Sequence, residues 1–173
     1  MIRKARGNDL PLLHGIERAA DEIFRNLGMD AIADGEPAPP QALRAYERAG
    51  RAWVSVDERD RPIAFLVVDI VDRAAHIEQV SVHPESGRQD IGATLIEAVA
   101  SWAKEQGLDA MTLMTFRDVP WNRPYYERLG FRVVDEPQLT NGLRELQAHE
   151  AALAIDRWPR VAMRRRVDVS APS

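Results

Sequence analysis

The sequence predicts an α/β domain in which helices flank a mixed, mostly antiparallel central sheet. Its 173 residues suit one domain with a substantial core, and no low-complexity stretch divides them, so we expect a single domain over residues 1–173. Apolar residues recur at helical spacing in some segments and form short β-like runs in others. One such run leads through a helix to the next, which is the connection that parallel neighbours require.

The first fifty residues predict a strand followed by two helices. Ile2–Arg6 is β-like, and Asp9 is placed to cap a helix that ends before Gly28. Asp30–Pro40 is rich in Ala, Gly, Asp and Pro and predicts a loop, after which a second helix ends at Gly50. The apolar positions of the first helix are Leu12, Leu13, Ile16, Ala20, Ile23 and Phe24.

The rest of the chain predicts an antiparallel meander, a long helix and a mixed carboxyl-terminal part. The meander strands are Ala52–Val56, Ile63–Val71 and His76–Val82, with the polar turn Asp57–Pro62 after the first. The long helix runs from about Asp90 to Gln106. After it we expect strands at Leu108–Thr115 and Phe131–Val134, a helix at Asn141–Leu153, and a final strand at Val161–Val167.

The segment Val80–Ile96, VSVHPESGRQDIGATLI, predicts an anion site. A β-like run breaks at a proline, crosses a polar turn and enters an apolar-striped helix. The start of a helix leaves backbone N–H groups unpaired and carries partial positive charge, so a phosphate group is a natural occupant. Strand–turn–helix units are common, however, and a purely structural connection is the competing interpretation.

This segment resembles the acetyl-CoA pyrophosphate loop of the GNAT N-acetyltransferase superfamily, whose pattern is roughly [Q/R]-x-x-G-x-[G/A]. The six positions here read Gly87-Arg88-Gln89-Asp90-Ile91-Gly92. Gly87 stands where Gln or Arg is usual and Asp90 where the first glycine is usual, whereas Gly92 is kept. Downstream, the segment Pro120–Phe131, PWNRPYYERLGF, resembles the family's second signature, a short tyrosine-bearing helix that ends in Leu-Gly-Phe.

The resemblance implies an N-acetyltransferase that moves the acetyl group of acetyl-CoA directly to a primary amine of a small molecule or peptide. It implies that the fourth and fifth strands splay apart, and that backbone groups of Val80 and Val82 serve the cosubstrate, one N–H as the oxyanion donor. It also makes a homodimer plausible. The implied acetyl-CoA contacts are Val80, Val82, Gly87, Arg88, Gln89, Asp90, Ile91, Gly92, Ala93 and Asn122.

Tyr126 matches the family's tyrosine near the CoA sulfur, where its hydroxyl would donate a hydrogen bond to the departing thiolate. Tyr125 is the weaker candidate, because it shares a helical stripe with Trp121 and Leu129 and is expected in the core. Reference pKa values of about 10 for tyrosine and about 8.5 for a thiol make full proton transfer uphill by roughly 2 kcal/mol. Hydrogen-bond stabilisation is therefore favoured over complete protonation.

Glu78 is the candidate general base. It lies two residues before Val80 on the strand that would face the thioester, and His76 shares that face by alternation. Two alternatives stay open, a solvated glutamate paired with an arginine and a water molecule as the base.

Asn122 could face the cosubstrate or acceptor, but its place before Pro124 also suits a helix N-cap, which we favour. Val119 stands where the family often has asparagine, so that contact is not carried over. The negative charge of Asp90 stabilises the start of the helix when no ligand is bound, but it repels a pyrophosphate group at the same place. Aspartate tolerates the left-handed backbone that the missing glycine would supply, so we expect weakened rather than lost CoA binding.

Composition narrows the function further. The net charge of −4 argues against a general nucleic-acid binder, although Arg157, Arg160 and Arg164–Arg166 are basic; an edge strand is the simpler interpretation of that patch. The absence of cysteine excludes a thiolate nucleophile, and no residues have metal-ligand spacing. Without a signal-peptide or membrane-spanning pattern, we expect a cytoplasmic protein without membrane contact. A catalytically idle acyl-CoA sensor and a partner-binding domain without cofactor are the alternatives.

Overall fold

The computed structural model describes residues 1–35, 37–87, 90–152 and 158–167. The strands are β1 Ile2–Lys4, β2 Ala52–Val56, β3 Pro62–Val71, β4 Ala74–Val82, β5 Ala110–Phe116, β6 Arg132–Val133 and β7 Arg160–Arg166. The helices are α1 Leu10–Asp21, α2 Asp30–Ala33, α3 Pro40–Arg48, α4 Ile91–Glu105, α5 Arg123–Arg128 and α6 Asn141–Ala152. No helix within the described ranges is long and apolar enough to cross a membrane.

The sheet is mixed and mostly antiparallel, as predicted. Its strand order is β1-β2-β3-β4-β5-β7-β6. Strands β4 and β5 run parallel, joined through α4, whereas the pairs β1–β2, β2–β3, β5–β7 and β6–β7 are antiparallel. The β4–β5 pairing begins at Ala74–Ala110 and ends at Ile77–Leu113, although both strands continue beyond those residues. This early end of the pairing confirms the predicted splay.

The chain divides into two compact units. The amino-terminal unit is Met1–Val68 with Gln79–Ala98, and the carboxyl-terminal unit is Asp69–Glu78 with Val99–Ser173. In the amino-terminal unit, α1 and α3 pack on the first three strands around Leu13, Leu43 and Phe65. In the carboxyl-terminal unit, Leu143 of α6 packs with Leu139 and with Ala162 of β7.

Three predictions about the amino-terminal unit need correction. Asp9 is at the N-cap position of α1, as predicted, but its side chain does not cap the helix; its carboxylate accepts hydrogen bonds from the Arg6 N–H, at 2.7 Å, and from the Arg3 guanidinium. Leu12 and Ile23, predicted on the apolar face of the first helix, are 50% and 43% exposed. Leu12 lies off the buried face of α1, and Ile23 belongs to the 3₁₀ helix that continues the chain from Glu22. The predicted loop after Gly28 contains the short helix α2. Gly28 itself ends the preceding helix in the left-handed conformation, as expected.

The carboxyl-terminal unit also corrects two predictions. The basic strand β7 is not an edge strand, since it pairs with β5 on one side and with β6 on the other. Tyr125 and its stripe partners Trp121 and Leu129 are half-buried rather than part of the core. A helix of only six residues is too short to bury a full stripe. Arg157 and Leu153 lie outside the described residues.

Candidate active site

The predicted phosphate loop follows β4 in the amino-terminal unit. Val80 and Val82 of β4 are half-buried. His83 then caps a 3₁₀ turn at Pro84–Ser86, because its Nδ1 accepts the Glu85 N–H at 3.2 Å. Arg88 and Gln89, two of the predicted contacts, lie outside the described residues.

Asp90 adopts a left-handed backbone conformation, which glycine adopts most readily. Its φ is +50°, in the left-handed region, so the turn into α4 is made without glycine. Its carbonyl accepts hydrogen bonds from the N–H and the hydroxyl of Thr94, both at 3.1 Å, and thereby starts the helix. The side chain is exposed. The start of a helix carries partial positive charge that favours a phosphate group, whereas the Asp90 carboxylate at the start of α4 opposes one.

The other predicted loop residues have structural roles as well. Ile91 and Gly92 are buried in the first turn of α4, and Ala93 is half-buried. Gly87 has a right-handed φ of −66°, and a β-carbon there would approach the Pro84 carbonyl oxygen no closer than 3.4 Å. Glycine is therefore not required at position 87 by backbone strain or by crowding in the described residues.

Glu78 is the first residue of β4 beyond the stretch that pairs with β5. Its side chain is 45% exposed. Partial burial, together with the nearby carboxylates of Asp69 and Glu150, raises the pKa of Glu78 to about 7, while Arg160 opposes the shift. No hydrogen bond joins Glu78 to an arginine within the described part of the chain. The alternative of an arginine-paired glutamate therefore has no support there.

His76 lies on the same face of β4, two residues before Glu78, and is 2% exposed. Its Nδ1 is 2.8 Å from the hydroxyl oxygen of Thr112 on the neighbouring strand β5. Its Nε2 is 3.8 Å from a Glu78 carboxylate oxygen, which is too long for a hydrogen bond. Burial lowers the pKa of His76, so the ring is neutral at pH 7 and leaves the Glu78 charge uncompensated.

A partly buried ion pair lies in the carboxyl-terminal unit and includes two of the charged residues that affect the pKa of Glu78. The Arg160 guanidinium of β7 donates two hydrogen bonds to Glu150 of α6, at 2.6 and 3.1 Å, and both side chains are less than one-fifth exposed. The guanidinium also stacks on the Phe116 ring, 4.4 Å from its centroid. Because Glu150 already neutralises Arg160, little positive charge remains to stabilise an ionised Glu78.

Tyr126 lies on α5 and is half-buried against Tyr125 and Phe131, with ring centroids 5.4 and 5.9 Å away. Burial raises the pKa of the Tyr126 hydroxyl, Tyr125 adds to the shift, and Arg160 opposes it. The positive charge of Arg160 thus lowers the pKa of both Tyr126 and Glu78. Among the described residues, nothing accepts or donates a hydrogen bond at the Tyr126 hydroxyl, which leaves a protonated donor available.

Asn122 is at the N-cap position of α5, but its side chain does not cap the helix. Its Oδ1 instead accepts a hydrogen bond from the Thr115 hydroxyl on β5, while its carbonyl oxygen accepts the Tyr126 N–H at 3.0 Å. The favoured capping role is therefore wrong for the side chain, though the position is right. The Thr115–Asn122 hydrogen bond fixes the start of the helix that carries Tyr126.

Sequence reasoning missed the residues that surround Glu78. Asp69, Glu150 and Arg160 belong to three different elements, and no local pattern indicates that they meet. Thr112 and Thr115 gave a weak signal, because they are the only hydroxyl residues in the otherwise apolar strand β5. A half-exposed carboxyl with a pKa near 7, such as that of Glu78, can accept a proton at neutral pH, and a protonated phenol, such as that of Tyr126, can donate a hydrogen bond.

The chain belongs to the GNAT acetyltransferase family, because the model of the acetyltransferase (GNAT) family matches residues 16–131. Members of this family use acetyl-CoA, and the chain is an acetyltransferase.

Solved structures share the fold at low sequence identity. The ribosomal-protein-S18-alanine N-acetyltransferase from Escherichia coli is 17% identical with a TM-score of 0.69, over 100% of this chain and 97% of that one. The PaiA N-acetyltransferase from Thermoplasma acidophilum, solved with coenzyme A, is 16% identical with a TM-score of 0.69, over 96% and 98%. Ard1 from Thermoplasma volcanium is 17% identical with a TM-score of 0.69, over 97% of each chain.

Proposed function

We propose that this acetyltransferase moves the acetyl group of acetyl-CoA directly to a primary amine on a small molecule or a peptide. One observation carries the proposal: Glu78, with a pKa of about 7, is the first residue of β4 after its pairing with β5 ends. When bound, acetyl-CoA supplies the thioester carbonyl that the amine attacks and the thiolate that leaves. The sequence has no cysteine, so an acyl-cysteine route is excluded.

Glu78 acts as the general base. An amine in water is mostly protonated at pH 7, and a carboxylate whose conjugate acid has a pKa near 7 can take that proton at neutral pH. The neighbouring carboxylates of Asp69 and Glu150 raise the pKa of Glu78. Arg160 would lower that pKa, but its ion pair with Glu150 limits the effect. A positioned base contributes about 10²- to 10⁴-fold in rate.

Tyr126 donates a hydrogen bond to the sulfur as negative charge develops there. Its raised pKa makes full proton transfer to sulfur unfavourable, which supports hydrogen bonding rather than protonation. The backbone groups of Val80 and Val82 orient the cosubstrate, and the start of α4 receives its pyrophosphate.

The acceptor is proposed from chemistry and from the neighbours' names. Two of the three structures above are named N-acetyltransferases, and one of these is named for the alanine of a ribosomal protein that it acetylates. Because the two names that specify the acceptor atom both give nitrogen, a primary amine is the class to test first. Only one of them names an acceptor, a protein alanine, so the names do not select between a peptide and a small molecule.

Thermal unfolding with and without acetyl-CoA tests the cosubstrate site. Ligand at one hundred times its dissociation constant stabilises the folded state by about 2.7 kcal/mol, which corresponds to roughly 5 to 11 °C for a chain of this size. A screen of peptide and small-molecule amines, read out as released thiol, then tests transfer. A shift without thiol release for any amine would favour an acyl-CoA sensor, and no shift at millimolar acetyl-CoA would contradict the proposal.

A further inference from the structure

A cavity of about 530 Å³ opens within the carboxyl-terminal unit where the β4–β5 pairing begins. Its charged lining consists of Arg73, Asp72, Asp109, Arg132, Arg164 and Arg166. Side chains such as Val133 and Leu143 supply apolar wall. Neither Glu78 nor Tyr126 lines the cavity, and none of its lining residues belongs to the predicted acetyl-CoA contacts.

Sheet register places three of the arginines side by side. Arg164 of β7 is directly opposite Arg132 of β6, and it is opposite Thr112 of β5 on its other side. Arg166 is two residues further along β7 and therefore on the same face. Directly opposite β-carbons are about 4.5–5.5 Å apart, and residues two apart on a strand are separated by about 6.6 Å. The three guanidinium groups can therefore converge on one small ligand.

The charges of this cavity do not balance internally. Arg73 pairs with Asp109 at 3.3 Å, and Asp72 accepts the Gly142 N–H at the start of α6 at 2.8 Å. For the side chains of Arg132, Arg164 and Arg166, the part of the chain that the structure describes offers no ion pair or hydrogen bond. Asp109 and Asp72 thus already have partners, whereas the guanidinium groups of three arginines line the cavity without a carboxylate partner. The cavity therefore carries a net positive charge.

Like charges directly opposite each other destabilise a sheet, so the Arg132–Arg164 pair costs free energy unless an anion lies between the two groups. A planar guanidinium group can donate two parallel hydrogen bonds to two oxygens of a phosphate or a carboxylate. The start of α6 adds partial positive charge, since Thr140 and Leu143 at that helix start line the same cavity. The volume suits a small metabolite rather than a bare ion.

We propose that this cavity binds a small organic dianion, either a phosphate monoester or a dicarboxylate. Arg132, Arg164 and Arg166 hold its anionic groups, and the apolar wall contacts its carbon atoms. Binding requires neither acetyl-CoA nor acetyl transfer, so the proposal stands or falls independently of the proposed function.

Calorimetric titration in a phosphate-free buffer tests this site, with glycerol 3-phosphate and succinate as the two probes and glycerol as the uncharged control. We expect saturable binding of one charged probe and none of glycerol. Arg164→Gln should weaken that binding about tenfold or more, since it removes charge-assisted hydrogen bonds. Arg164→Lys, which keeps the charge but loses the two-pronged geometry, should fall between.

Arg165→Gln is the matched control, because Arg165 is the adjacent residue on the opposite face of β7, against Gly130. It should leave probe affinity unchanged. Arg132→Gln is the second variant if Arg164→Gln does not fold. Three results would overturn the proposal. The first is no binding of either probe at millimolar concentration, and the second is equal weakening of probe binding by Arg165→Gln. The third is competitive displacement of the probe by acetyl-CoA, which would show that the probe binds at the cosubstrate site.

Discussion

Two carboxyl groups, one in each compact unit, show how neighbours decide what an acid can do. Asp9 in the amino-terminal unit is 6% exposed in its side chain and accepts hydrogen bonds from the Arg3 guanidinium at 2.7 and 3.1 Å. Burial alone would raise the pKa of Asp9, but the hydrogen bonds from Arg3 and from the Arg6 N–H outweigh it and lower the pKa. Glu78 in the carboxyl-terminal unit has carboxylates as neighbours, and its pKa rises to about 7.

The two pKa values differ because the nearby arginines pair with different carboxylates. Arg3 is aimed at Asp9 and Asp60, so the charge of Asp9 is fixed and the group is structural. Arg160 is equally well oriented, but it is committed to Glu150 and leaves Glu78 ionisable near neutral pH. Removing a cation should therefore damage stability in one unit, whereas removing a carboxylate should alter chemistry in the other.

Replacing the proposed base, Glu78, should have the largest effect. Glu78→Gln should lower kcat by about 10²- to 10⁴-fold while acetyl-CoA affinity is retained, because the amide cannot accept the amine proton. The variant should also be more stable than the wild type above pH 7. A raised folded-state pKa favours folding below the ordinary value of 4.5, and that benefit is lost as the pH rises through 7. Glu145→Gln, an exposed position on α6, is the control, and equal kcat losses for the two would contradict the base role.

Breaking the structural pair should reduce stability without changing the chemistry. Arg3→Met leaves Asp9 buried and uncompensated, at a cost of about 3 kcal/mol, or roughly 6 to 12 °C in Tm. The loss should shrink as the pH falls from 3.8 through the lowered folded-state pKa of Asp9, because the carboxyl is protonated first in the unfolded chain and then in the folded one. Arg6→Met removes an ion pair to Asp60 that is 61% and 55% exposed, and should cost at most about 1 kcal/mol. Similar melting temperatures for these two variants would refute the contrast.

Freeing Arg160 should move the pH profile of the enzyme. Glu150→Gln removes a carboxylate near Glu78 and leaves Arg160 able to stabilise the Glu78 carboxylate, so the pKa of Glu78 should fall by about one unit. The acid limb of kcat/KM should therefore shift to lower pH. Asp69 also raises the pKa of Glu78, and burial keeps His76 neutral, so neither reverses this direction. An unchanged limb would mean that another group titrates.

The smallest effect is expected at the phosphate loop. Asp90→Asn keeps a residue that tolerates the left-handed φ of +50° but removes the charge at the start of α4. Calorimetry should show acetyl-CoA binding about two- to fivefold tighter, corresponding to about 0.3–1 kcal/mol. Weaker or equal binding would show that this carboxylate does not oppose the pyrophosphate.

The fold was largely predictable because its signals are local. Hydrophobic periodicity located every strand of the meander and the long helix α4, and the strand-helix-strand order predicted the parallel β4–β5 pair. Asp9 shows where local rules fail: a residue type suited to capping was bound instead by Arg3. The edge assignment of β7 failed because β6, only two residues long, pairs beyond it.

The candidate site was predictable only where the family motif supplied residues. Glu78 and Tyr126 were named from the sequence, but the reason for a basic Glu78 was not, since Glu150 and Arg160 approach it from α6 and β7. The hydrogen bond from Thr115 to Asn122 joins residues seven apart across a turn, and it competes with the cap that composition favours. Such contacts depend on tertiary packing rather than on spacing along the chain.

The pH dependence of kcat/KM for acetyl transfer, measured with two acceptor amines of different pKa, tests the central claim most directly. A base at Glu78 predicts an acid limb with an apparent pKa of about 7 that is the same for both amines and is absent in Glu78→Gln. A limb that follows the pKa of the amine and persists in Glu78→Gln would contradict the claim and assign proton removal to solvent.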